Sequence, residues 1–157
     1  MIMKPVLVGL SNPYSSNPAM ALAPYPERSA GNRLWRMFAK DGLSRSREEY
    51  MELFDRRNLF GSDIPQTKHH IAVAAKRLIT SIPVGSTAVL LGTEVIEAIS
   101  PLLSRPIKRL LIHPQVIDGI TWRCLPHPSG SNKVYNDPVM RQLAGMLLAD
   151  TLNSTGD

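Results

Sequence analysis

The chain has 157 residues, 43% of them hydrophobic, which suits one domain with a substantial core. Lys and Arg number 18 against 13 Asp and Glu, and the net charge of +5 favours an anionic partner, nucleic acid ahead of an anionic membrane surface. A single cysteine, Cys124, excludes an internal disulfide and a cysteine-rich zinc site, and no run of about 18 apolar residues is present to cross a membrane.

Pro5-Val6-Leu7-Val8-Gly9-Leu10 is a continuous apolar run, the pattern of a strand buried on both faces. It soon meets Ser11-Asn12-Pro13, so it is expected to be a first strand and not a signal peptide. An intracellular, cytoplasmic setting follows as the simplest expectation. The loop to about Ala30 carries Tyr14, Tyr25 and Arg28 among several prolines, and loops this long in a small domain are often functional.

Asn32 is expected to cap a helix over Arg33 to Lys40, stopped by Gly42. A second helical stretch covers Glu48 to Asp55, and Arg56 to Phe60 reads as a short extended piece ending at Gly61. Gln66 to Ser81 has apolar residues at helical spacing, with Pro83 and Gly85 after it. Thr87 to Gly92 is a second buried strand, and a helix starting at Gly92 or Thr93 ends before Pro101. Arg109 to His113 and Ile120 to Leu125 are further strand candidates, with Gly119 in a turn. Asp137-Pro138 opens the last helix, Asp as cap and Pro at the first position. Residues 1–152 are read as one domain and 153–157 as a polar tail.

Apolar strands alternating with helical patterns argue for a three-layer α/β/α sandwich with a mainly parallel sheet. Ligands of such sheets sit beyond the carboxyl ends of the strands. Two strand ends carry unusual polar loops, Ser11-Asn12-Pro13-Tyr14 and His127-Pro128-Ser129-Gly130. If both strands are central, the loops meet across one crevice.

No carboxylate pair, Ser-His-Asp arrangement or glycine-rich phosphate loop stands out. His69 and His70 are adjacent, so on a helix they point apart and make a poor metal pair. What remains is an amide and an imidazole on opposing loops. That pair suits hydrolysis of an N-glycosidic bond: His127 stabilises charge developing on the leaving base, and Asn12 orients water or holds the base edge. An amide is no general base, so slow turnover is expected. Tyr14 or Tyr25 is placed to stack on the base, and Ser129, Ser131 and nearby backbone N–H groups to grip phosphate. Arg28, Arg33, Arg36, Arg45 and Arg47 form either a phosphate-facing patch or a solvated face.

At these residues the chain resembles the uracil-DNA glycosylase superfamily. Gly9-Leu10-Ser11-Asn12-Pro13-Tyr14 is similar to its first motif and His127-Pro128-Ser129-Gly130 to its second. Gly31-Asn32-Arg33-Leu34-Trp35 resembles a helix start of the mismatch-specific branch, and Val89-Leu90-Leu91-Gly92 a central strand that ends in Gly. The resemblance runs in order from Val6 to about Leu148. It implies a four-stranded parallel sheet between helical layers, and a monomer that flips a nucleotide into a pocket and hydrolyses its glycosidic bond without metal or cofactor. It implies catalytic roles for Asn12 and His127, base contacts from Tyr14, Tyr25, Asn32 and Gly92, and DNA or phosphate contacts from Ser11, Ser129, Ser131, Asn132 and Lys133.

Three features depart from the family pattern. Ser11 is an extra residue in the first motif, Ser131 stands where better-known branches place a leucine wedge, and Gly92 replaces the Asn that reads uracil in the most specific branch. The continuation through Asn132, Tyr135 and Asn136 resembles phage and bacterial outliers, whose substrates include modified bases. The expected substrate is therefore uracil or a modified pyrimidine in single- or double-stranded DNA, with no membrane partner. Two alternatives stand beside it: an inactive or weak family member that binds nucleic acid or protein, and a hydrolase or transferase of modified nucleotides.

Overall fold

The computed structural model describes residues 3–61, 64, 66–109, 113–129 and 132–154. Its centre is a five-stranded, mostly parallel sheet with helices packed on both faces. In chain order the elements are β1 (Val6–Gly9), α1 (Ala30–Phe38), α2 (Arg47–Leu53), β2 (Asp55–Asn58), α3 (Lys68–Ser81), β3 (Thr87–Leu91), α4 (Thr93–Ile99), β4 (Gln115–Ile117), β5 (Ile120–Leu125) and α5 (Pro138–Ser154). The sheet order is β2-β1-β3-β5-β4. The first four strands of that order are mutually parallel, and β4 pairs antiparallel with β5.

The apolar runs become the middle of the sheet because both their faces are covered. Every residue of β1 and β3 is buried. On one face Val6, Val8, Ala88, Leu90 and Trp122 pack against Ala75 and Leu78 of α3 and Val95, Ile96 and Ile99 of α4. On the other, Leu7, Val89, Leu91 and Leu125 meet Leu34, Trp35 and Phe38 of α1, Tyr50 of α2, and Ala144, Leu147 and Leu148 of α5. Trp122 is fully buried and its indole N–H donates to the Ile117 carbonyl at 3.1 Å. Truncating it to Ala would cost about 3–5 kcal/mol.

The structure differs from the sequence reading in several places. The sheet has five strands where four were expected. The piece read as Arg56–Phe60 is the edge strand β2, and its pairing to β1 runs on through Leu59 N–H to the Gly9 carbonyl and Phe60 N–H to the Leu10 carbonyl, both 2.9 Å. The strand expected at Arg109–His113 falls largely on residues 110–112, outside the described residues, and neither Arg109 nor His113 is in a strand. Helix α1 begins at Ala30 with Ser29 as its cap, the Ser29 hydroxyl accepting from Asn32 N–H at 3.1 Å. Asn32 is therefore inside the first turn and does not cap it. Helix α5 runs through Asn153 and Ser154, into the segment read as a tail. Among the described residues no helix is long and apolar enough to cross a membrane.

Candidate active site

Strands β1 and β5 end on the same side of the sheet, with β3 between them. That register brings the loop after Gly9 and the loop after Leu125 to one cavity of about 180 Å³. Ser11, Asn12 and Tyr14 line it from the first loop, Tyr25 and Arg28 from further along that loop, and His127 and Ser129 from the second. The crevice expected from two polar strand ends is thus present. Its volume lies below the ~300–1,000 Å³ of drug-sized sites, a scale that suits one small ring.

The long loop owes its shape to polar clamps. Asn12 Nδ2 donates to the Met20 carbonyl at 2.9 Å, and Asn12 Oδ1 accepts from Tyr14 N–H at 2.9 Å. The second bond is an Asx turn, the ordinary job of Asn before Pro. One lone pair on Oδ1 and one N–H remain for a water or a base edge. Tyr50 anchors the loop from below, its buried hydroxyl donating to the Leu22 carbonyl at 2.9 Å. Burial pushes the Tyr50 phenol far above its ordinary pKa, so it stays a neutral donor.

His127 is half-buried and held on two sides. Ser129 N–H donates to His127 Nδ1 at 3.1 Å, so Nδ1 offers a lone pair and the proton of the neutral ring sits on Nε2. Asn132 Nδ2 donates to the His127 carbonyl at 2.9 Å, and Tyr135 OH donates to the Pro126 carbonyl at 2.7 Å. Burial lowers the imidazole pKa below the ordinary histidine value, with the Glu94 carboxylate pulling weakly the other way. A neutral ring donating through Nε2 suits stabilisation of an anion forming in the cavity.

The remaining expected site residues divide. Tyr14 and Tyr25 line the cavity; Tyr14 is 60% exposed, and Tyr25 carries the Arg47 guanidinium 5.3 Å from its ring centre. Asn32 is not in the cavity wall. It is 3% exposed and its amide is spent on the Arg28 N–H and the Pro24 carbonyl, so it shapes the loop and does not read a base. Gly92 is also absent from that wall. It lines a neighbouring cavity of about 430 Å³ with Glu94 and Asn132, on the other flank of His127. A Cβ at Gly92 would lie 2.9 Å from the Cβ of His127, and its φ of +102° is one that side chains rarely adopt. Gly92 therefore sets where the imidazole stands. Asn132 is occupied at both ends, its Oδ1 accepting from Val134 N–H. Lys133 is exposed at the start of a short 3-10 turn, Lys133–Asn136. Ser131 lies outside the described residues.

The arginines of the suspected patch are largely engaged. Arg36 pairs with Asp41 at 3.1 Å and Arg45 with Glu49 at 3.2 Å, Arg33 Nε donates to the Arg28 carbonyl, and Arg47 stacks 4.5 Å from the Trp35 ring. Sequence reasoning missed Glu94, the carboxylate nearest in effect to the imidazole; its place two residues past Gly92, in the first turn of α4, was the available signal. No protein-family model matches the chain, and no curated protein matches its sequence.

Proposed function

We propose that this chain is a DNA glycosylase of the uracil-DNA glycosylase kind, hydrolysing the N-glycosidic bond of uracil or a modified pyrimidine held in the 180 Å³ cavity. The observation that carries the reading is the Ser129 N–H bond to His127 Nδ1, which leaves a neutral Nε2–H donor on a residue of the cavity wall. The C1′–N bond breaks with its electron pair moving into the base, and the charge collects on a ring oxygen. His127 Nε2–H stabilises that oxygen. Water, oriented by the spare capacity of Asn12, adds to C1′ and loses its proton to solvent, and the departed base takes a proton from solvent. With no carboxylate among the described residues of the cavity wall to act as base, the step is slow. The four parallel strands in the order β2-β1-β3-β5 also support the reading, with β4 as an added antiparallel edge.

The direct test is release of free base, with an alkali-labile abasic site, from oligonucleotides carrying uracil or modified pyrimidines. Absence of both products from every strand tested would overturn the reading.

One observation favours a second reading, a nucleic-acid binder with little or no hydrolysis. Both ends of the Asn12 amide already serve the loop backbone. Tight binding to these strands without base release is its signature.

A further inference from the structure

A second cavity, of about 400 Å³, adjoins the first and shares Asn12 with it. Its walls are the carboxyl end of β2, the last turns of α3 and the loop around Ser15–Pro18. Arg56, Arg57 and Arg77 all line it. Arg57 is paired with Asp55 at 2.7 Å and also meets Ser81, while Arg56 holds the Ala19 and Ala21 carbonyls. Arg77 is exposed and makes no ion pair among the described residues. Three guanidiniums thus line the cavity and one of them is paired with a carboxylate, an excess of positive charge that favours an anion. Leu59, Phe60 and Leu78 supply an apolar wall. Asn58 lines the same cavity, and its Oδ1 is buried without a hydrogen-bond partner, lying where a Cβ on Gly9 would be only 2.6 Å away.

Cations, an aromatic ring and the Ser15 and Ser16 hydroxyls together have the chemistry of a nucleotide site. We propose that this cavity is a second nucleotide subsite, taking the unpaired neighbour of the flipped nucleotide in single-stranded DNA, with its base on Phe60 and its phosphate on Arg57 and Arg77. The proposal rests on the glycosylase reading and adds strand preference to it. A base stacked in a duplex cannot enter such a concave site, whereas an unpaired neighbour can. Asn12, common to both cavities, places the two nucleotides next to each other along one strand.

The test is binding of the full chain to a short fluorescein-labelled oligothymidylate, followed by anisotropy across a salt series. Arg77→Ala should reduce the slope of log affinity against log salt by about one. Phe60→Leu keeps the apolar packing, loses the stacking face and should weaken binding roughly tenfold. Lys4→Ala, at the opposite end of β1, should change neither. Wild-type affinity and slope in both cavity variants would overturn the subsite, as would tighter binding of the wild type to duplex than to single strand. Base release by the same preparation separates the two levels. Release together with unchanged binding by both cavity variants removes the subsite alone; neither binding nor release removes the glycosylase reading with it.

Discussion

The backbone N–H of Ser129 donates to Nδ1 of His127 at 3.1 Å, and this bond selects the tautomer of the ring. Protonation of His127 would turn Nδ1 into a donor and break it. Burial already lowers the His127 pKa below the ordinary value of about 6.5. The neutral form therefore persists through neutral pH, and excision should hold level there and fall only as pH drops through the lowered pKa. Stability follows the same direction. The unfolded chain binds more protons in this window, so the contribution of His127 is complete above about pH 6.5 and is lost as pH falls through the folded value. Glu94→Gln removes the carboxylate that raises the pKa, so the acid limb of the rate should move to lower pH. A pH–rate profile of wild type and variant checks this, and a limb that moves upward would contradict it.

Gly92 stands against His127 at the carboxyl end of β3. With φ +102° and ψ 159° it occupies a region essentially restricted to glycine. Gly92→Ala should cost about 1–3 kcal/mol of stability from the backbone alone. Its Cβ would also press on His127, so excision should fall by more than the folded fraction does. Urea unfolding and single-turnover rates on the same preparations separate the two effects.

Asn12 gives a sharper test of the water-positioning role. Asn12→Asp keeps an oxygen to accept the Tyr14 N–H but places a carboxylate against the Met20 carbonyl. The lost donor should cost about 1–3 kcal/mol. The same carboxylate is a general base, worth typically 10²–10⁴-fold when positioned. Base release at neutral pH should therefore rise despite the lower stability. A variant that folds but releases base no faster than wild type would remove Asn12 from the hydrolytic step.

Asn32 and Tyr14 should behave oppositely. Asn32→Ala frees the Pro24 carbonyl and the Arg28 N–H inside the fold and should lower stability by about 1–3 kcal/mol, with base preference unchanged. Tyr14→Ala, at a largely exposed position of the cavity wall, should leave stability within about 0.5 kcal/mol and relax discrimination among pyrimidines. Thermal melts and competition between labelled substrates read the two outcomes.

The parts of the fold legible in the sequence are those set by local burial. Val6–Gly9 and Thr87–Leu91 are mainly apolar runs because helices cover both their faces, Ile120–Leu125 alternates apolar residues with Thr121 and Arg123, and the polar loops at two of these strand ends line one cavity. The edges were harder. Strand β2, Asp-Arg-Arg-Asn, is half-buried and polar because its arginines reach to loop carbonyls and to Asp55, so no hydrophobic period marks it. Strand β4 is only three residues long: the turn expected at Gly119 is present, and Asp118-Gly119, both at positive φ, is a two-residue hairpin turn joining Ile117 of this short strand to Ile120. Asn32 looked like a cap because its residue type favours that position, yet Ser29, three residues earlier, takes the job. Gly92 was read as touching the base, and only the packing of β3 beside the His127 loop places it on the far flank of the imidazole.

The most direct test of the central claim compares base release by wild type and His127→Ala on single-stranded oligonucleotides carrying uracil or modified pyrimidines, at neutral pH and with melting curves of both proteins. The expected result is release by the wild type and a loss of about 10²–10³-fold in the variant at matched folding. Full activity in a folded His127→Ala protein would contradict it.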